Sequence, residues 1–234
     1  MNRKIFIDCG THLGMGFSRL ISQHGVDDSW EVYGFEANPH VLEGYRNNIK
    51  NNEILNRLNI TLENRAVWIN EDVLSFSLRG IDKNFVDNTP HFAAELDATR
   101  KSDLEMMGDG HGLFGDEIYK VPWDGGSCVT DLKKSYSADK PGPLYKWHED
   151  IEVKGLDLSA WILKNFDKND TIVLKMDIEG SEFKVLPKML AEGSIDYVDA
   201  IYVEWHAWMM GEYGDLENYL KHQVSSRCDM RAWG

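Results

Sequence analysis

Three cysteines among 234 residues, Cys9, Cys128 and Cys228, are odd in number, lie far apart and match no zinc-type spacing. They exclude a disulfide framework and suit a reducing compartment. No apolar run reaches the length of a membrane span, and Met1-Asn2-Arg3-Lys4 leads into a strand without a signal-peptide core. The expectation is a soluble, cytoplasmic protein with no membrane partner. Basic residues are scarce too: 25 Lys and Arg face 39 Asp and Glu, a net charge of −14. That balance argues against DNA or long RNA, whose binding rests on phosphate neutralisation. Internal repeats and low-complexity tracts are absent, and so is the Gly-x-Gly-x-x-Gly fingerprint of dinucleotide enzymes.

What is present is the composition of an ordinary globule, 42% hydrophobic and 27% charged, long enough for one α/β domain over residues 1–234. Its most telling segment is Ile5-Phe6-Ile7-Asp8-Cys9-Gly10-Thr11-His12-Leu13-Gly14-Met15-Gly16, an apolar strand running into a glycine turn and then a helix. Such a turn lets the backbone approach a ligand and offers unpaired N–H groups. The spacing Gly10-x-x-x-Gly14-x-Gly16 disfavours a pyrophosphate cradle, while Asp8 can accept from a cationic amino group. S-adenosylmethionine has such a group and no phosphate. The bland alternative is a βα turn of small residues.

A second strand ends in Phe35-Glu36-Ala37-Asn38-Pro39, where Asn38 is a good N-cap and Pro39 suits the first helical position. An acid at that strand tip, Glu36, can accept from both ribose hydroxyls of an adenosine, or merely favour the helix dipole. The third segment, Thr171 to Glu182, is again a buried strand that emits acids and a glycine at its carboxyl end.

Together, Asp8-Cys9-Gly10-Thr11-His12-Leu13-Gly14, Phe35-Glu36-Ala37-Asn38 and above all Lys175-Met176-Asp177-Ile178-Glu179-Gly180-Ser181-Glu182 resemble the motifs of the FkbM-like S-adenosylmethionine-dependent methyltransferases. Gly126-Ser127-Cys128 is similar to a Gly-Ser-Ser element, and Leu156-Asp157 also fits. The resemblance spans residues 4 to 206. It implies a Rossmann-like class I methyltransferase sheet, mostly parallel with helices on both faces, and O-methylation of a small, sugar-type hydroxyl acceptor. The cofactor residues it implies are Asp8, Gly10, Thr11, His12, Gly14, Glu36, Ala37, Ala66 and Asp177.

Periodicity predicts strands at 5–8, 31–35, 60–68, 171–176 and 198–203, with Ala66 at the carboxyl end of the third, near the adenine. Helices are expected after the first strand to Gly25, over 39–51, over 158–166, after residue 182, and near 215–224, followed by a strand at 228–233. A seven-stranded sheet asks for two more strands, so this end reads as abbreviated. Residues 79–150 lack periodicity and form a long irregular insertion after the third strand, expected to recognise substrate. Val73–Leu78 and Ile151–Val153 are expected to pair as a hairpin on the sheet edge.

Methyl transfer from a sulfonium needs alignment and a way to remove the acceptor's proton. Glu204 and His206, two apart in an extended segment, share a face and can converge beside Asp177. Either His206 is the general base, oriented by a carboxylate, or Asp177, Glu204 and His206 hold a divalent ion such as Mg²⁺. The structural alternative is a simple pair at a strand end. Glu182 is expected to be structural, and Glu179 to touch substrate or hold the glycine turn. Trp123, Trp147, Trp205 and Trp208 fall on the acceptor side, where aromatic faces suit a sugar ring. A homo-oligomer remains compatible with the sequence. The rival readings are an NAD-dependent oxidoreductase and a non-catalytic module that retains the cofactor fold.

Overall fold

The computed structural model describes residues 2–81, 127–133, 145–210 and 213–233. The first three strands, β1 (Lys4–Cys9), β2 (Trp30–Phe35) and β3 (Asn59–Glu63), are joined by helices α1 (Met15–His24) and α2 (Pro39–Asn51). The chain then enters β4 (Ala66–Trp68), β5 (Val73–Ile81), β6 (Cys128–Val129), a short helix α3 (Thr130–Lys133) and β7 (Tyr145–Asp157). It returns through α4 (Leu158–Asn165), β8 (Thr171–Met176), α5 (Glu182–Glu192), β9 (Ala200–Val203), α6 (Ala207–Met210), α7 (Gly214–Ser225) and β10 (Asp229–Ala232).

Six of these strands form a wholly parallel sheet in the order β10-β9-β8-β1-β2-β3. Burial on both faces accounts for the apolar runs. Ile5, Ile7, Ile172 and Leu174 face one side, packing with Leu158 and Ile162 of α4 and Leu186 of α5. Phe6, Val32 and Val173 face the other, against Phe17 and Leu20 of α1 and Tyr45 of α2. Chain order reverses between β1 and β8, so the loops leaving them part to opposite faces and open a crevice at the sheet's carboxyl edge.

The helix starts follow the expected chemistry. Asn38 Oδ1 accepts from His40 N at 3.0 Å with Pro39 in the first turn, and Asp157 accepts from Ala160 N at 3.1 Å to cap α4. Helix α1 ends where Gly25 takes a left-handed φ of +60°.

Two expectations are corrected. The run 60–68 is not one strand. Asn64 Nδ2 donates to the carbonyls of Glu36 and Ala37 at 2.8 and 2.9 Å, which turns the chain out of the main sheet. Ala66–Trp68 therefore pairs in parallel with Gly155–Asp157. The hairpin exists, with Val73–Ile81 antiparallel to Tyr145–Lys154, but it builds a second sheet, β4-β7-β5-β6, instead of extending the first. Of the expected insertion, residues 82–126 and 134–144, including Trp123, lie outside the described residues. Among the described residues no helix is long and apolar enough to cross a membrane.

Candidate active site

The glycine turn spends its freedom on packing. At Gly10, φ is +74° and an added Cβ would sit 1.7 Å from the Asp177 carbonyl oxygen, so β1 and β8 can end side by side only with glycine there. At Gly14, φ is +87° and a Cβ would meet the Tyr45 ring at 2.0 Å. Gly10 and His12 line a cavity at the sheet's carboxyl edge; Thr11 and Gly14 lie behind it, both buried.

One wall of that cavity is polar and comes from the strand tips: His12, Glu36, Asn38, Asp177, Glu179 and Glu204. A largely apolar part of the lining comes from the second sheet, with Ala66, Val67, Phe76 and Val129, beside Arg65 and Ser127. The departure of Ala66 from the main sheet thus delivers it to the cavity by another route. Glu36 Oε1 accepts from Asn38 N at 2.8 Å and Oε2 from His12 N at 2.9 Å, stitching the two loops together. Burial lifts its carboxyl above the usual range, against the pull of those bonds.

Asp8 does not line this cavity. It is 1% exposed on the α1 face, directly opposite Lys175 in the β1–β8 register. Lys175 Nζ lies 3.3 Å from Asp8 and 3.3 Å from Asp177, and donates to the Gly10 carbonyl at 2.8 Å. The cation beside Asp8 is therefore the protein's own. Burial pushes the Asp8 carboxyl up to about 6, with Lys175 pulling the other way. Lys175 stays above its ordinary value because two carboxylates, Asp8 and Asp177, overcome its own desolvation. Glu36 and Asp177 share the cavity, and Asp8 reaches it only through Lys175. Lys175 was legible as a charge inside the apolar run Ile172-Val173-Leu174-Lys175-Met176, where an unpaired ammonium would be costly.

His206 is 2% exposed and does not line the cavity either. Its Nδ1 lies 2.9 Å from Glu182 Oε1, which also accepts from His206 N at 3.0 Å, while Glu182 Oε2 accepts from Gly180 N at 2.9 Å. Glu182, in the first turn of α5, makes these bonds as well as standing where an acid favours the helix dipole. His206 Nε2 looks toward Glu179 at 3.5 Å and toward Asp177 and Glu204 at 3.9 Å. Burial alone would lower the imidazole pKa, but the Glu182 bond and the surrounding acids outweigh it and raise it to about 9. Glu204 lines the cavity, and burial together with Asp177 beside it raises its carboxyl above the ordinary range.

The expected trio does converge, yet the donor atoms that fall within 4.8 Å of one another belong to Asp177, Glu179 and His206, without Glu204. The sequence reading gave Glu179 to substrate or to the glycine turn and left it out of the metal trio. Its φ is +52°, and it and His12 are the two positive-φ non-glycine residues among those described; both line the cavity. Trp205 is buried against Phe183, and Trp208 is 77% exposed; neither is a cavity residue.

Residues 8–229 match the family model of the Methyltransferase FkbM domain. The chain belongs to the FkbM methyltransferase family. The match runs past residue 206 and takes in α7. A solved structure, the methyltransferase FkbM from Methylobacillus flagellatus KT, is similar over 97% of this chain and 38% of that one, with 17% identity and a TM-score of 0.41. The chain thus spans about two-fifths of that neighbour's length. No curated protein matches it.

Proposed function

We propose that the protein is an S-adenosylmethionine-dependent O-methyltransferase acting on a small, sugar-type hydroxyl acceptor. The observation that carries this reading is the cavity of an FkbM-family chain whose lining joins Glu36 with the apolar Ala66 and Val67. That donor set suits a cofactor without phosphates. Arg65 is committed to the Gly155 carbonyl and to Glu71, and the lining also carries four carboxylates, Glu36, Asp177, Glu179 and Glu204.

In this reading Glu36 takes the ribose hydroxyls, Ala37, Ala66 and Val67 enclose the adenine, and Gly10, His12 and Asp177 hold the amino-acid end. Thr11 and Gly14 shape the loop, and Asp8 fixes Lys175 behind it. S-adenosylmethionine, when bound, supplies an activated methyl group, so the chain's task is alignment and removal of the acceptor's proton. Asp177 and Glu204 accept hydrogen bonds from the acceptor hydroxyl, with His206 orienting the acids; a divalent ion such as Mg²⁺ is the other means of activation. A rim of carboxylates favours a hydroxyl-rich carbohydrate over an anion.

Calorimetric titration with S-adenosylhomocysteine and, separately, NADH tests the cofactor. Binding of the first and not the second is expected. NADH binding would restore the oxidoreductase reading, and failure of both would restore the non-catalytic one.

A further inference from the structure

Two elements bring nitrogen and oxygen donors to one point beside the cavity: the loop after β8 supplies Asp177 and Glu179, and the segment after β9 supplies His206. His206 Nε2 is 3.5 Å from Glu179 Oε2 and 3.9 Å from Asp177 Oδ1. A buried imidazole would ordinarily turn a nitrogen to a backbone or side-chain partner. Here Nδ1 bonds Glu182, and Nε2 faces the carboxylates of Glu179, Asp177 and Glu204. Glu182 is 0% exposed and is fixed by two backbone N–H groups, those of Gly180 and His206, so it cannot swing away. A carboxylate that receives the far nitrogen of a histidine sets its tautomer and aims the near nitrogen as a ligand. The left-handed backbone at Glu179 accompanies this placement of its carboxylate at the same point.

We propose that Asp177, Glu179 and His206 hold one divalent cation of the Mn²⁺ or Mg²⁺ kind, with Glu182 as the positioning residue for His206. Two carboxylate oxygens and one imidazole nitrogen suit such an ion, and the remaining positions go to water or acceptor oxygens. Bonds of about 2.1 Å place adjacent ligands roughly 3 Å apart, so the three side chains, whose donor atoms lie within 4.8 Å of one another, draw together on the ion. Glu204 lies next to the ion, not on it, free to take a proton from a hydroxyl the ion polarises. The site's role in catalysis rests on the methyltransferase reading; the site itself does not.

The test titrates Mn²⁺ alone into the protein, with no cofactor present, and reads free Mn²⁺ by electron paramagnetic resonance. One ion per chain is expected. Glu179→Gln and His206→Ala should each weaken binding at least roughly tenfold, Glu182→Gln by roughly tenfold through lost orientation, and Glu204→Gln by less than about threefold. Thermal unfolding of each variant identifies any that fail to fold; Glu179→Gln, at a partly exposed side chain, keeps the test decisive if His206→Ala does not. No Mn²⁺ binding by the folded wild type, or full affinity in folded Glu179→Gln, overturns the proposal. Failure of the methyltransferase reading would appear instead as lost S-adenosylhomocysteine binding with the Mn²⁺ titration intact.

Discussion

Lys175 stands directly across the β1–β8 ladder from Asp8, its Nζ 3.3 Å from the carboxylate in a region closed to solvent. The same ammonium holds the Gly10 carbonyl and Asp177, so one buried charge ties the glycine turn to the tip of β8. Removing it strands Asp8 in the core. Lys175→Met should destabilise the fold by about 3–5 kcal/mol, the scale for breaking a buried pair from one side. Asp8→Asn should cost less, since Asp177 still partners Lys175. The double variant should recover part of the Lys175→Met loss. Urea unfolding of the four proteins measures this, and strict additivity would deny the coupling.

Because burial raises the Asp8 carboxyl to about 6, above its value in the unfolded chain, folding favours its protonated form. Its contribution to stability is therefore full below the unfolded pKa and is lost as pH rises through about 6. The swing is at most about 3 kcal/mol. Asp8→Asn cannot titrate, so its stability relative to wild type should improve between pH 4.5 and pH 7.5. A difference that stays flat across that range would place the Asp8 pKa at its ordinary value.

The parallel sheet and its helices were legible because their signals are local. Asn38-Pro39 announces α2, and the apolar runs at 5–9 and 172–176 announce strands covered on both faces. What escaped depends on contacts between distant segments. Nothing near Ala66 reveals that Asn64 will turn the chain toward β7, ninety or so residues later in sequence, because that turn is made by carbonyls of Glu36 and Ala37. Asp177, Glu204 and His206 were found by strand-tip position and a two-residue period. Glu179 was read as a substrate contact or a support of the glycine turn, because nothing in the residue pattern marks the left-handed φ of +52° that accompanies its place beside His206, and Glu182 was read by its place on a helix although its side chain also reaches His206.

Glu36 carries two backbone N–H groups as well as facing the cavity, so it serves the fold and the proposed ribose site at once. Glu36→Ala should weaken S-adenosylhomocysteine binding by about 1–3 kcal/mol and also lower the unfolding temperature, because His12 N and Asn38 N lose their acceptor. Glu36→Gln keeps acceptor oxygen for one of them and should fall between. Calorimetry alongside thermal unfolding separates the effects; an unchanged dissociation constant in folded Glu36→Ala would remove this residue from the site.

Glycine at position 10 answers two demands, a φ of +74° and the Asp177 carbonyl at 1.7 Å from an added Cβ, whereas Gly25 at +60° has nothing within 4 Å. Gly25→Ala should then cost only the left-handed backbone term, about 1–2 kcal/mol. Gly10→Ala should cost clearly more, because β1 and β8 must also move apart. Equal losses in denaturant midpoint would show that the close approach at the turn is readily relieved.

Glu204 is the acid whose side chain is open to the cavity beside Asp177, at 34% exposure, while His206 is sealed behind it at 2%. If Glu204 takes the acceptor's proton, Glu204→Gln removes the base but keeps the shape and the hydrogen-bonding reach of the side chain. Turnover should fall by roughly 10²–10⁴-fold, with S-adenosylhomocysteine affinity within about a factor of two, because Glu36, Ala66 and the glycine turn are untouched. A loss confined to the transition state lowers kcat and kcat/KM together, whereas loss of ordinary acceptor binding raises KM and leaves kcat in place. The second pattern would make Glu204 a contact for the acceptor and return the proton to Asp177.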